Sequence, residues 1–479
     1  LLQFILTNQR IFAIQLAIKK HKLKKNTKSS PAMKKQSINL WMFTLMILIS
    51  GFSYAQTPKN QILITNAKIF DGTNKLVEGK DVLIQGNKIV QIAAGIMITQ
   101  DEHSQIIDAT GMTLIPGLTD AHWHTMHAHI ASMQIFVNDI GYLTLVGAEA
   151  AEAALMRGFT SVRDVGGPVF GIKKMIDEGR ISGPRIYPSG AYITQTSGHG
   201  DFRFPTAMTR KDGRELLDGE LMGWTKIADG VPQVIRRVRE NLMSGATQIK
   251  VMAGGGVASL SDPLDVRQYT LDEMKAAVEV AATWNTYVCV HAYSDVAVRG
   301  ALEAGVQSIE HGQMITEETA KLIKEKDAWL CLQPLLNDED AIPFPDGSFE
   351  QQKFLAMTAG TEKAYGLAKK YDLKVAFGSD LQNGAAIAAT QGKALAKLKR
   401  WYEPWEVLKM ATSTNYELFK MCGPRDPYPG KNGVIEEDAL ADLIIVDGNP
   451  LENLDLIADP ENNFKVIMKD GKIYKNIID

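Results

Sequence analysis

From residue 112 to residue 378, short apolar runs alternate with helix-like stretches, and this alternation constrains the chain more than any other feature. The runs are 112–118, 159–164, 184–188, 247–252, 287–291, 306–311, 329–333 and 374–378. Each has strand length, and most are rich in β-branched or aromatic residues. Between them lie helical stretches at 148–157, 232–243, 270–284, 295–303, 317–326 and 363–370. The first is Ala-rich and stopped by Gly158, and the third opens with the capping sequence Thr270-Leu271-Asp272-Glu273. Parallel strands need long crossovers, which helices supply. Eight such strands alternating with helices predict an α/β fold of the (β/α)8 TIM-barrel type, with a doubly wound open sheet as the alternative.

The flanks read differently. Ile62-Leu63-Ile64, Ala67-Lys68-Ile69-Phe70, 81–85 and 88–92 are short strands separated by turn pairs such as Asp71-Gly72 and Gly86-Asn87. The same grammar returns at 441–447 and 465–472. A small β-sandwich domain is therefore expected from 56–115 plus 427–479, with the barrel (116–426) inserted between its halves. The stretch 194–230 is too long for an ordinary connection and is expected to wall or cover the site; it carries Gly198-His199-Gly200-Asp201.

Residues 1–55 follow another logic. Met33-Lys34-Lys35 opens a basic region, 40–49 is a short apolar core, and Ser53 and Ala55 are small residues spaced for cleavage. This pattern is a secretory signal peptide, and it predicts an exported, periplasmic protein with no stable membrane anchor. These 55 residues hold nine Lys/Arg and no Asp/Glu, so removing them takes the formal charge from −3 to −12. An acidic chain excludes nucleic acid and anionic membrane as expected partners and leaves a small-molecule substrate. A homo-oligomer is compatible with the sequence. Cys289, Cys331 and Cys422 form no disulfide framework, and the first two are expected as buried small hydrophobes.

Chemistry concentrates where the strands end. Asp120-Ala121-His122-Trp123-His124 follows the first apolar run, and strand geometry points residues i and i+2 to one side. Two converging imidazoles suit a divalent metal. Lys250 lies late in the fourth run, His291 ends the fifth, His311 ends the sixth, and Asp380 follows the eighth. In a barrel all of them reach the C-terminal face, where active sites lie. His127 and His129 fall past the first strand and are not expected as ligands.

Together Pro116-Gly117-Leu118-x-Asp120-Ala121-His122-x-His124, Ile249-Lys250-Val251-Met252-Ala253-Gly254-Gly255, Val290-His291-Ala292, Ser308-Ile309-Glu310-His311-Gly312 and Gly378-Ser379-Asp380 resemble the amidohydrolase superfamily. The resemblance is to the branch related to imidazolonepropionase that contains Xaa-Pro dipeptidases, and it covers nearly all of residues 60–475. It implies one metal on His122, His124 and Asp380 and a second on His291 and His311, both zinc. It also implies that Lys250 is N-carboxylated by CO2 and bridges the two. Imidazolonepropionase resembles a one-metal site without such a Lys, so Lys250 favours a two-metal, peptidase-like centre.

The implied activity is hydrolysis of C–N bonds in dipeptides such as Xaa-Pro or in N-acyl amino acids, by a hydroxide that the metals generate. Asp380 would act as base and then as acid. His199 and Tyr293 would stabilise the oxyanion or hold a substrate carboxylate, with Arg267 as another partner for that carboxylate. The same centre would suit esters, lactones or phosphotriesters. A non-catalytic periplasmic binding protein is the reading from a different class, and it predicts broken ligand positions.

Overall fold

The computed structural model describes residues 60–73, 76–203, 218–259 and 262–478. The expected signal segment, Met33 to Ala55, lies outside the described residues.

The flanks build two sheets. One runs in the order Lys88–Ala93, Asp81–Gln85, Gln61–Thr65, Ser104–Asp108. The other has six strands and puts Met112–Pro116 between Leu443–Asp447 and Lys68–Phe70. Ile115 pairs there with Ile444, so both ends of the described chain meet in one sheet. Strand alternation then divides the side chains. Leu114, Ile445 and Val466 join Ile62, Ile64 and Ile84 in one apolar cluster. Their neighbours Ile115, Ile444 and Ile467 join the large core of the parallel strands. A sheet buried on both faces needs the near-continuous apolar runs seen at both flanks.

One expected strand divides. The run 112–118 was expected to lead straight to the His pair, but it breaks at Gly117. Met112–Pro116 stays in the flank sheet, and Leu118–Trp123 begins the parallel strands. A Cβ on Gly117 would sit 2.2 Å from Thr160 Oγ1, so the bend needs a residue without a side chain. The expected third strand, 184–188, forms as Arg185–Pro188, and a second short strand, outside the expected run, follows a break. Arg185–Pro188 pairs with Phe159–Asp164, and after Gly190 (φ 75°) Tyr192–Thr194 pairs with Ile249–Met252 through Ile193 and Val251.

Parallel strands then follow in order: Val288–Ser294, Ser308–Met314, Trp329–Leu332 and Lys374–Phe377. Asp380 N donates to His122 O at 2.9 Å, which brings the last of them beside the first. The helices alternate with these strands. Leu271–Thr283 carries the expected capping box between Thr270 and Glu273, and Asp295–Glu303 spans the expected residues. Ile140–Met156 begins earlier than its Ala-rich half suggested, because Asp139 accepts hydrogen bonds from Gly141 N and Tyr142 N and caps it. The 194–230 stretch contributes a further strand, Thr225–Ile227, paired with Tyr192–Thr194. All three cysteines are unpaired and buried. Among the described residues, no helix is long and apolar enough to cross a membrane.

Candidate functional site

The six residues singled out at strand ends come together in one cleft. His122, His124, Lys250, His291 and His311 are at most 4% exposed, and all of them line the cleft with Asp380. His122 Nε2 lies 3.5 Å and His124 Nε2 3.3 Å from Asp380 Oδ1. Single donor atoms of His122, His311 and Asp380 lie within 4.8 Å of one another. The rings of His291 and His311 are 4.5 Å apart, and those of His122 and His311 are 4.9 Å apart. Two of the six depend on unusual backbone. His311 (φ 80°) and Asp380 (φ 53°) sit in the left-handed region, which costs of order 1–3 kcal/mol for such residues. Surrounding contacts hold them there.

Each imidazole has a partner on one nitrogen. His122 Nδ1 lies 2.8 Å from Glu310 Oε2, and His311 Nδ1 lies 2.7 Å from Gln333 Oε1. His291 Nε2 lies 3.2 Å from Gly255 O, and His124 Nδ1 lies 3.1 Å from the Tyr192 hydroxyl. Partners of this kind fix ring orientation and tautomer, leaving the other nitrogen for a ligand. Glu310 is itself held: Arg163 Nη2 donates to both its oxygens, at 2.8 and 2.7 Å, and Ser308 Oγ donates at 2.7 Å. Burial works against the Glu310 carboxylate, yet Arg163 keeps it well below the usual range. His122, Glu310 and Cys331 also lie close enough to suggest a metal set. The Arg163 guanidinium already neutralises Glu310, so this group braces His122 instead.

The electrostatics match the donor chemistry. Burial, with the Lys250 ammonium second, pulls His122 down to about 4. Burial also takes His291 and His311 well below the ordinary histidine range, with neighbouring imidazoles and Lys250 adding to it. Neutral imidazoles have the lone pair a metal needs. Burial raises the Asp380 carboxyl, but His122, His124 and His311 outweigh it and hold the group far below the usual range. Lys250 is 1% exposed, and no carboxylate among the described residues pairs with it. A buried amine beside three imidazoles, with no ion pair of its own among the described residues, suits conversion to an anion. The residues present therefore fit a pair of divalent metals.

The two predicted cleft residues also line the wall. Tyr293 tilts over His311 at 4.6 Å, and His199 stacks on His291 at 4.0 Å. His199 Nδ1 lies 3.0 Å from Ser259 Oγ and 3.3 Å from Asp262 Oδ2. A Cβ on Gly256 would fall 2.0 Å from the His199 ring, so the stack requires glycine there. Lys353 Nζ ties this loop down, donating to Gly256 O and Ser259 O at 2.6 Å. Arg267 is a correction. It is exposed and does not line the cleft, because its side chain packs over Gly300 instead. His127, set aside as a ligand, lies in the wall with its Nε2 buried and unpartnered.

Sequence reasoning missed Arg163, Tyr192 and Gln333. Arg163 left a trace, since Arg163-Asp164 ends an apolar run that is buried throughout. Opposite charges at a buried strand end demand partners. Met252, Val257, Leu335, Ile342 and Phe344 give the rest of the cleft an apolar wall.

An amidohydrolase family model matches residues 113–479. Ochratoxinase of Aspergillus niger is 32% identical over 376 residues, covering 76% of this chain and 75% of that protein. Among solved structures, a prolidase complexed with N-methylphosphonate-L-proline aligns with a TM-score of 0.79 and 32% identity, over 87% of this chain and 100% of that one. A Xaa-Pro dipeptidase with methionine bound in its active site aligns with a TM-score of 0.74 and 27% identity, over 87% and 100%.

Proposed function

Because the chain belongs to the amidohydrolase family and is a metal-dependent hydrolase of C–N bonds, we propose that it cleaves dipeptides, Xaa-Pro among them, or N-acyl amino acids at a two-metal centre. The observation that carries this reading is the convergence of His122, His124, Lys250, His291, His311 and Asp380 on one cleft.

His122, His124 and Asp380 would hold one metal, and His291 and His311 the other, with zinc suited to this nitrogen-rich set. Bound there, a metal pair supplies hydroxide at neutral pH and polarises a carbonyl. Lys250, once deprotonated, would add to CO2 through a new N–C bond with release of a proton, and the carbamate would supply an anionic oxygen donor to the site. Asp380 takes the proton of the attacking water and passes it to the leaving amine. His199 and Tyr293 stand where they would hold the substrate's carboxylate or carbonyl oxygen. The apolar wall suits a proline ring or another apolar side chain. Supporting architecture is proposed as a (β/α)8 barrel over 116–426, with a β-sandwich from 56–115 plus 427–479. Export to the periplasm belongs to the same proposal.

The test is a panel of Xaa-Pro dipeptides, N-acyl amino acids, esters, lactones and phosphotriesters on zinc-loaded protein. Highest kcat/KM on the amides is expected; turnover confined to esters or phosphotriesters would overturn the substrate reading. Lys250→Ala should abolish hydrolysis, and added short carboxylates should restore part of it. Unchanged activity in that variant would sink the carbamate.

A further inference from the structure

Tyr192 lies just past the break in the third strand, and its hydroxyl is 3.1 Å from His124 Nδ1. The opposite nitrogen of that ring, Nε2, faces Asp380 Oδ1 at 3.3 Å. A neutral imidazole that offers Nε2 as a lone pair carries its hydrogen on Nδ1. Two acceptors stand near that hydrogen, Gly166 O at 3.4 Å and the Tyr192 oxygen, and the phenol is the nearer. A phenol oxygen that accepts still has its own hydrogen to give, and no acceptor among the described residues takes it. The side chain lines the cleft. A tyrosine hydroxyl carries one hydrogen that it can donate while its oxygen accepts.

The ring is also fixed in place. A Cβ on Gly166 would lie 1.9 Å from Tyr192 Cε1, so the ring fills the space glycine leaves. Tyr192 N is tied to Trp224 O at 3.1 Å. A donor held this way needs no reorganisation when charge develops, which is what makes such groups effective.

We propose that the Tyr192 hydroxyl is a double-acting group: its oxygen accepts Nδ1–H of His124 and orients that ligand, and its hydrogen is donated to the substrate's carbonyl oxygen as that oxygen gains negative charge. The donor half rests on the hydrolysis proposed above. The positioning half does not. Tyr293 works from the other pair of imidazoles, tilted over His311, and makes no bond to His124.

Tyr192→Phe keeps the ring over Gly166 and removes one oxygen. Chelator competition on the full chain should show zinc held about 10-fold more weakly than in the parent, the usual cost of losing a ligand's outer partner. Tyr293→Phe, the same deletion away from His124, should leave zinc affinity unchanged. At saturating zinc, Tyr192→Phe should lower kcat on an N-acyl amino acid about 100-fold while KM moves little. Calorimetric binding of N-methylphosphonate-L-proline, whose phosphoryl oxygens mimic the charged carbonyl oxygen, should weaken in parallel. Parental zinc affinity in Tyr192→Phe, or parental kcat and phosphonate binding once zinc is saturating, overturns the proposal. If the parent protein neither hydrolyses amides nor binds the phosphonate, the hydrolytic reading and the donor half fall together. The zinc competition then decides the positioning half by itself.

Discussion

His122 on one side of the cleft and His291 and His311 on the other are held by different physics. On the side of the first strand, His122 rests on a buried ion pair, since Glu310 and Arg163 are both 0% exposed. Asp120 adds to it, accepting from His122 N and Ser379 N at 3.0 Å and from Gln391 Nε2 at 2.8 Å. On the other side, His291 leans on the carbonyl of Gly255 and His311 on the amide of Gln333. Charge braces His122, and neutral dipoles brace His291 and His311. A buried ion pair tolerates no loss of one partner, because the survivor is left uncompensated. A neutral partner can be lost for little more than one hydrogen bond. The first half is built to stay fixed, and the second can be adjusted.

Glu310→Ala should therefore give the largest effect, a loss of about 3–5 kcal/mol in urea unfolding, because Arg163 is left buried and unpaired. A loss under about 1 kcal/mol would erase the distinction between the halves. His127 sharpens it from another direction, as an unbraced imidazole inside the charged half. Burial, with His124 second, takes it down to about 3. The unfolded chain then binds more protons than the native one below the ordinary histidine value. The contribution to stability is complete above that value and is lost as pH falls toward 3. Metal-free protein should lose about 2 kcal/mol from this residue between pH 6.5 and pH 5, and His127→Gln should flatten that slope. An unchanged slope would assign the acid sensitivity to other groups. The smallest effect belongs to the neutral side. Gln333→Leu should cost about 1 kcal/mol of stability and weaken zinc binding about 10-fold. Unfolding as severe as that of Glu310→Ala would break the comparison.

Much of the α/β order and the whole cluster of six was legible in the sequence, for a physical reason. Strand ends carry their own marks: an apolar run, then His122 and His124, or His291, or His311. What stayed hidden depends on contacts between distant residues. Arg163 and Glu310 are 147 residues apart, and nothing local to either names the other. Tyr192 sits in a three-residue strand after a glycine break, too short to show any period. Gly117 divides one apolar run between two sheets, and apolarity alone cannot show where the chain bends. Arg267 looked suited to a substrate carboxylate because composition gives a charge and not the direction of its side chain.

The bridge from Asp120 to Ser379 joins residues 259 apart in the chain. It seats the last strand against the first and, in the same contact, delivers Asp380 to His122 and His124. During synthesis, His122 and His124 leave the ribosome long before Asp380, which would complete their proposed set. A nascent or truncated chain ending before Ser379 has no finished pocket for a metal. On the proposed ligand set, metal capture would be a late event that reports completed closure, and incomplete chains should remain empty and open to proteolysis. An ion held by that set would also mark the chain as finished.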